Sequence, residues 1–308
     1  MRQSIIISNG RSGSTLLSDL IAEEPDTCSV QEFLMSAPAL SGMHDVLTGP
    51  AYWELLSSPK EEVAALFRVG IPPKEIRYPA DGRWAGRLTE LPRLLITLGK
   101  LTDDPDGLFD RLGERVPGFG VQDLAAHHRQ FMDLLAELTG RHGWVERSGG
   151  SNQIVHWILS GFPDVRIVHL TRNWADTAAS MSKHASFQLI QMRVEAIGRY
   201  GIDPFRVTPG QSVPPELEAY LPDRLTAAVI RERGRDAGKF LSLCAFMTSQ
   251  ADQALADHPP RQLLTMAYED LVADPLTELT ALGEFLSFTD PSGWAGSVAH
   301  RVKTPVRA

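Results

Sequence analysis

The chain has 308 residues, 43% hydrophobic and 22% charged, enough for one large α/β core that carries an insertion. Its formal net charge of −8 argues against a broad basic surface for nucleic acid, so an anionic ligand has to be held by a few local arginines and backbone dipoles. The two cysteines, Cys28 and Cys244, lie far apart without metal-ligand spacing, which argues against a disulfide between them and fits a reducing compartment. No window approaches the roughly 18 to 20 apolar residues of a spanning helix. The sequence enters a strand almost at once, with no charged leader and apolar stretch before it, so the expectation is a soluble, cytoplasmic protein.

Residues 4–16, Ser-Ile-Ile-Ile-Ser-Asn-Gly-Arg-Ser-Gly-Ser-Thr-Leu, predict a short apolar strand that runs through a Gly/Ser/Thr loop into a helix, the arrangement in which proteins cradle phosphates. Gly10 and Gly13 allow tight turns, Ser14 and Thr15 add hydroxyl donors beside the N–H groups of the helix start, and Arg11 supplies charge. A kinase-type loop needs four residues between its glycines followed by Lys-Ser/Thr; this loop is shorter, places Arg11 before Gly13 and has no lysine after it. Leu16, Leu17, Leu20 and Ile21 follow helical spacing, Pro25 stops the helix, and a strand follows near Cys28–Val30.

From 38 to 120 the sequence is broken by Pro and Gly, with helical patches at 51–56 and 61–69 and an apolar run from 88 to 101, and it is read as a mostly helical insertion beside the site. Within it, Leu91, Leu94, Leu95, Leu98 and Leu101 form an apolar helical stripe, better suited to packing than to lining a pocket, and Trp53, Tyr78 and Trp84 are expected to anchor the segment. A helix over 124–139, strands at 144–146 and 166–170 and a helix starting near Trp174 alternate as a parallel sheet requires. Residues 185–225 are expected to form a lid or loop, Pro204, Pro209, Pro214, Pro215 and Pro222 crowding its second half. One long helix is expected over 226–255, with Arg231, Arg233, Arg235 and Lys239 on its solvated half. A strand at 263–267 and a helix over 275–286 then close the chain, which has no internal repeat.

A second anion site is suggested where His169-Leu170-Thr171-Arg172-Asn173 ends a strand, with Asn173 and Asp176 spaced as a capping box and Ser180 on the helix face shared with Asn173 and Thr177. Here Arg11-Ser12-Gly13-Ser14-Thr15 and Arg172-Asn173-Trp174-Ala175-Asp176-Thr177-Ala178-Ala179-Ser180 resemble the two phosphate motifs of sulfotransferases that use 3′-phosphoadenosine 5′-phosphosulfate (PAPS). Met266-Ala267-Tyr268-Glu269-Asp270-Leu271-Val272-Ala273-Asp274-Pro275 is similar to a third stretch of that family. The departures are Trp174, where proline is usual, and a C-terminal Arg301-Val302-Lys303-Thr304 that only loosely resembles the loop closing over the nucleotide. The resemblance implies a single domain over 1–308 with a P-loop NTPase-like sulfotransferase fold, a three-layer sandwich around a central parallel sheet. It implies PAPS as co-substrate, 3′-phosphoadenosine 5′-phosphate (PAP) as product and no metal. Arg11, Ser12, Gly13, Ser14 and Thr15 would hold the 5′-phosphosulfate, and Arg172 and Ser180 the 3′-phosphate.

An acceptor hydroxyl needs a base within hydrogen-bond reach. Glu32, which follows the second strand, resembles the glutamate of bacterial carbohydrate sulfotransferases and is the expected base. Arg147, in a Glu146-Arg147-Ser148-Gly149 turn similar to the Glu-Lys-Thr/Ser-Pro turn of related enzymes, would assist Arg11, the alternative being a salt bridge to Glu146 or Asp176. Ser148 is its companion. His169 reads as a core imidazole, His127 and His128 as openers of a helix whose apolar face looks elsewhere, and His184 as a reserve base. The expected function is transfer of a sulfuryl group from PAPS to a hydroxyl of a carbohydrate, lipid or small-molecule acceptor. The alternatives are an ATP- and Mg-dependent small-molecule or nucleoside kinase, disfavoured by the missing lysine, and a nucleotide-binding module without catalysis.

Overall fold

A computed structural model describes residues 1–37, 44–208 and 210–303. The first residues of the expected insertion, 38–43, together with Pro209 and Thr304, lie outside them. The chain divides into two compact units, one made of Met1–Leu55, Asp110–Asn173 and Met247–Ala308, the other of Leu56–Phe109 and Trp174–Phe246.

The first unit is α/β, the class expected from the alternating pattern. Its strands in chain order are β1 (Arg2–Ser8), β2 (Thr27–Gln31), β3 (Val46–Leu47), β4 (Gln122–Asp123), β5 (Gly143–Arg147), β6 (Arg166–Thr171) and β7 (Leu263–Ala267). Five of them form one sheet in the order β2-β5-β1-β6-β7, every pair parallel, while β3 and β4 make a separate antiparallel pair. A parallel sheet is covered on both faces, so β1 can hold Ile5, Ile6 and Ile7 in succession, all fully buried. On one face Ile6, Val145, Val168 and Met266 pack with Leu17, Leu20 and Ile21 of α1 (Ser14–Ile21) and with Leu271, Leu279 and Leu282. On the other, Gln3 of β1 and Trp144 of β5 each donate to Asp133 Oδ1, at 3.0 and 2.8 Å, on the helix Leu124–Leu138. Helices on both faces of the sheet make this unit three-layered.

The second unit is helical. Leu66, Leu189, Met192 and Ile230 join the helices Glu61–Arg68, Ala185–Tyr200 and Ala227–Arg233 in one apolar cluster. Arg193 ties them further, donating to Asp203 at 2.6 and 3.0 Å and to Glu62 at 2.8 Å. Residues 185–200, expected within a lid or loop, are therefore a packed helix, ended by Gly201 at φ 68°.

Two further expectations give way here. The helix expected over 226–255 is two, Ala227–Arg233 and Ala237–Leu255. At the break, Gly234 lies so close to its neighbours that a Cβ would sit 2.1 Å from Gln188 Nε2 and 2.2 Å from the Ser182 carbonyl. The leucine stripe of 91–101 is not one helix either. Only Leu95–Leu98 is α-helical, because Pro92 lies in an isolated bridge with Pro59 and Arg93 N–H donates to the Ser58 carbonyl at 2.9 Å. Its leucines are still packed as expected, Leu91, Leu94, Leu95 and Leu98 being buried.

Candidate functional site

Strands β1 and β5 are neighbours, yet their chains leave them towards opposite faces of the sheet. β1 enters α1 on one face. β5 leads to the helix Val155–Gly161, which is followed by Phe162, and the guanidinium of Arg129 from the opposite layer sits 5.3 Å from the Phe162 ring centroid. Such a divergence opens a crevice at the carboxyl ends of the two strands, where ligands of parallel α/β sheets bind. Residues 9–13 and 147–150 stand at those two ends.

Three residues of the loop after β1 have left-handed backbone. Gly10 and Gly13 have φ of 77° and 83°, and Arg11 between them has φ 55°, a left-handed conformation that costs an ordinary side chain roughly 1 kcal/mol or more. Gly13 cannot be replaced without movement, since a Cβ there would lie 2.3 Å from Cδ2 of Tyr268. Gly13 also serves as the N-cap of α1 with no side-chain cap, so the first-turn N–H groups of the eight-residue helix have no carbonyl of their own helix to bond. Hydrogen bonds hold the loop from behind: Gly10 N–H donates to Ser8 Oγ at 3.1 Å, and Ser12 Oγ to the Gly10 carbonyl at 3.2 Å. Ser12 and Ser14 are buried in this framework.

The support continues in residues that sequence reasoning did not single out. Ser151 Oγ accepts the Ser8 N–H at 3.2 Å, Asn152 Nδ2 donates to Asn9 Oδ1 at 2.9 Å, and Asn9 Nδ2 donates to Thr248 Oγ1 at 2.8 Å. These contacts span long sequence separations, so no local spacing announces them. His169 belongs to the same buried group: its Nε2 lies 3.5 Å from Asn152 Nδ2, and burial depresses its basicity, as a core imidazole requires.

Arg172, at the end of β6, reaches the loop directly. Its Nη1 donates to the Arg11 carbonyl at 2.9 Å, its guanidinium lies 4.7 Å from the centroid of the Tyr268 ring, and its Nε is buried with no protein partner. The neighbouring Asn173 N–H, which a capping box would give to Asp176, donates to Glu269 Oε1 at 2.9 Å. Ser180 lies in the helix Trp174–Met181 of the second unit, half-buried.

Glu32 and Arg147 meet at the carboxyl ends of β2 and β5. Glu32 has φ 64° and caps the short helix Phe33–Ser36. Its N–H donates to the Arg147 carbonyl at 2.8 Å, its Oε2 accepts the Gly149 N–H at 3.1 Å, and its Oε1 takes Nη1 of Arg147 in an ion pair. Arg147 is almost fully buried and completes its bonding with Nε to Ser18 Oγ at 2.8 Å and Nη2 to Gln31 Oε1 at 2.7 Å. The acid that pairs with Arg147 is thus Glu32, neither Glu146 nor Asp176. Alternation along β5 sends Glu146 to the opposite face, where Oε1 accepts Ser148 Oγ at 2.5 Å and Leu34 N–H at 3.1 Å while Oε2 has no protein partner. Burial pushes its carboxyl up to about 7, against the bonds from Ser148 and Leu34. Exposure separates the two carboxylates as candidate bases: the Glu32 side chain keeps 17% of its surface, and Glu146 keeps none.

The histidines fall elsewhere. His127 and His128, expected to open a helix whose apolar face looks elsewhere, are in the first turns of Leu124–Leu138 and fully buried. His127 stacks on Tyr52 at 4.5 Å and its Nε2 faces the Leu47 carbonyl at 2.9 Å, while His128 Nδ1 and the Tyr52 hydroxyl share a hydrogen bond at 2.8 Å. His184 Nε2 pairs with Glu75 at 2.8 Å, both in the second unit. Tyr78 donates to Asp106 Oδ1 at 2.7 Å and Trp84 meets Phe109 edge to face at 5.4 Å, the anchoring expected of both; Trp53 lies against Gly113. Arg301 lies in a turn, Ala299–Arg301, and its Nη1 donates to Glu23 at 2.6 Å, just beyond the end of α1. An eight-residue helix is about 12 Å long, so that contact is remote from the phosphate loop at the helix start. Among the described residues, no group of three or more His, Cys, Asp or Glu could hold a metal ion and no helix is long and apolar enough to cross a membrane.

No family model matches the chain, and no curated protein matches its sequence. Among solved structures it is similar to a sulfotransferase domain from the curacin biosynthetic pathway, at 17% identity over 93% of this chain and 74% of that one, with a TM-score of 0.47. A sulfotransferase domain of the Synechococcus olefin synthase matches at 17% identity over 94% of this chain and 75% of its own, TM-score 0.44. A Mycobacterium avium sulfotransferase matches at 14% identity over 98% and 69%, TM-score 0.43.

Proposed function

We propose that the chain is a sulfotransferase that moves a sulfuryl group from PAPS to a hydroxyl of a carbohydrate, lipid or small-molecule acceptor. The observation that carries this reading is the bond from Arg172 Nη1 to the Arg11 carbonyl, which ties Arg172, at the end of β6, to the backbone of the loop that carries Arg11 and leads into an uncapped helix start. Two anionic groups on one nucleotide match two such cationic positions.

In this reading the first-turn amides of α1, Ser14, Thr15 and Arg11 bind the 5′-phosphosulfate, and Arg172 with Ser180 binds the 3′-phosphate. Glu32 takes the proton of the acceptor hydroxyl. Its bonds from Gly149 and Arg147 fix its direction and leave carboxylate lone pairs available. The acceptor oxygen forms its bond to sulfur as the bond from sulfur to the 5′-phosphate oxygen breaks, and Arg11 and the amides stabilise the charge growing on that oxygen. Arg147, bound to Ser18, Gln31 and Glu32, acts on Glu32 more directly than on the sulfuryl group.

Thermal stabilisation tests the reading. PAP at about 100 times its Kd should stabilise the fold by roughly 2.7 kcal/mol, several degrees in Tm, with less from AMP at the same concentration and a smaller response in Arg172→Ala. A response to ATP with Mg²⁺ and none to PAP would favour a kinase instead.

A further inference from the structure

The helix that follows β7, Tyr268–Ala273, sets its first two residues against both carriers of the proposed nucleotide site. The Tyr268 ring occupies the space where a side chain on Gly13 would stand, with Cδ2 and Cε2 at 2.3 and 2.5 Å from that Cβ position. The same ring lies under the Arg172 guanidinium at 4.7 Å. Glu269 then accepts the N–H of Asn173, the residue after Arg172, at 2.9 Å.

An arginine side chain has rotamer entropy to lose, and one bond to a carbonyl does not fix a guanidinium plane. In this chain the plane is fixed from two sides, by the Arg11 carbonyl at one edge and the Tyr268 ring on one face. The buried Nε, which has no protein partner, is held in place with it. A buried donor left unbonded carries its full desolvation cost, which an anionic oxygen accepting from it would remove.

We propose that Tyr268 is a positioning residue that orients Arg172 for a terminal phosphate of the ligand, and so sets the preference for a nucleotide with a second phosphate over its monophosphate. The inference rests on the nucleotide reading above. The ring acts through its face, so its hydroxyl is dispensable, and the predicted order is Tyr268→Phe near wild type and Tyr268→Leu impaired.

The experiment is calorimetric titration of PAP and AMP into wild type, Tyr268→Phe and Tyr268→Leu, with Tyr268→Met in place of the leucine variant if that one does not fold. The ratio of the two Kd values is the readout, because a merely loosened loop weakens both ligands alike. Loss of the stacked face should lower the PAP preference about three- to tenfold, the range of a partly desolvated cation–π contact, and Tyr268→Phe should restore it. Equal weakening of both ligands, or an unchanged ratio in the leucine variant, overturns the inference while leaving the nucleotide reading intact. A wild type that does not distinguish PAP from AMP overturns that reading, and the inference with it.

Discussion

Phe33 separates two buried polar clusters in the first unit that differ in charge and in access. Before it in the chain stands Glu32, paired with Arg147 and backed by Gln31 and Ser18; against its ring, edge-on at 5.0 Å, lies His128, bonded to Tyr52. Both clusters are densely bonded. The first holds opposite charges and keeps part of a carboxylate at the surface; the second holds neutral groups and exposes nothing. Titratable chemistry without access is structure, and the same bonding with an open lone pair is a candidate machine.

Removing the open carboxylate should therefore have the largest effect. Glu32→Gln keeps the shape and the bond from Gly149 but has no anionic lone pair, so transfer should fall by roughly 100- to 10,000-fold, the usual worth of a general base, with PAP affinity within a factor of two. Single-turnover rates and PAP titrations on the same preparation check it. Retained turnover would move the base to another residue.

The closed cluster should respond in the opposite sense. Tyr52→Phe leaves His128 Nδ1 without its hydrogen-bond partner in a fully buried site and should cost about 1 to 2 kcal/mol in urea unfolding, with the transfer rate unchanged. A loss of rate without a loss of stability would bring Tyr52 into the chemistry and dissolve the contrast.

What the sequence disclosed of these clusters follows from how far each interaction reaches. The loop 9–13 and its helix are written locally, in glycine spacing and a run of isoleucines, and strands β1, β2, β5, β6 and β7 lie where alternation and apolar runs put them. The partner of Arg147 was not legible, because Glu32 and Arg147 are 115 positions apart and meet only after β2 pairs with β5. The partners of His127 and His128 were not legible for a similar reason: Tyr52, Phe119 and Phe33, which enclose them, come from other segments. In the helical unit, glycine and proline marked breaks, but Gly234 marks one through contact with Ser182 and Gln188, some fifty positions earlier.

A smaller effect sets Glu146, on the opposite face of β5 from Arg147, against the closed cluster by pH. Glu146 is held neutral up to about pH 7 by burial, against an ordinary value of 4.5, so its contribution to stability is full below pH 4.5 and lost as pH rises through 7. Burial holds His128 down at about 3, against 6.5, with the neighbouring His127 adding to the shift, so its contribution is full above pH 6.5 and lost as pH falls towards 3. Each slope is on the order of 1 kcal/mol per pH unit, and between pH 4.5 and 6.5 the two offset one another. Glu146→Gln should remove the decline on the alkaline side and leave the slope of His128 exposed, whatever the substitution does to absolute stability. Urea midpoints from pH 4 to 8 read this, and an unchanged profile would mean Glu146 is ionised in the fold.

The smallest expected effect concerns the far end of α1. Arg301 and Glu23 are both substantially exposed, at 36% and 55%, and an exposed pair of this kind contributes about 0 to 1 kcal/mol. Arg301→Ala should therefore shift the urea midpoint little and leave PAP affinity unchanged, since the pair sits at the opposite end of the helix from the phosphate loop. The alternative expectation, that the C-terminal segment closes over the nucleotide, requires Arg301 to leave Glu23 and travel the length of α1. A clear loss of PAP affinity in Arg301→Ala, with AMP affinity falling in parallel, would be evidence for that movement and would place the boundary of the site at the C-terminal segment instead of the strand ends.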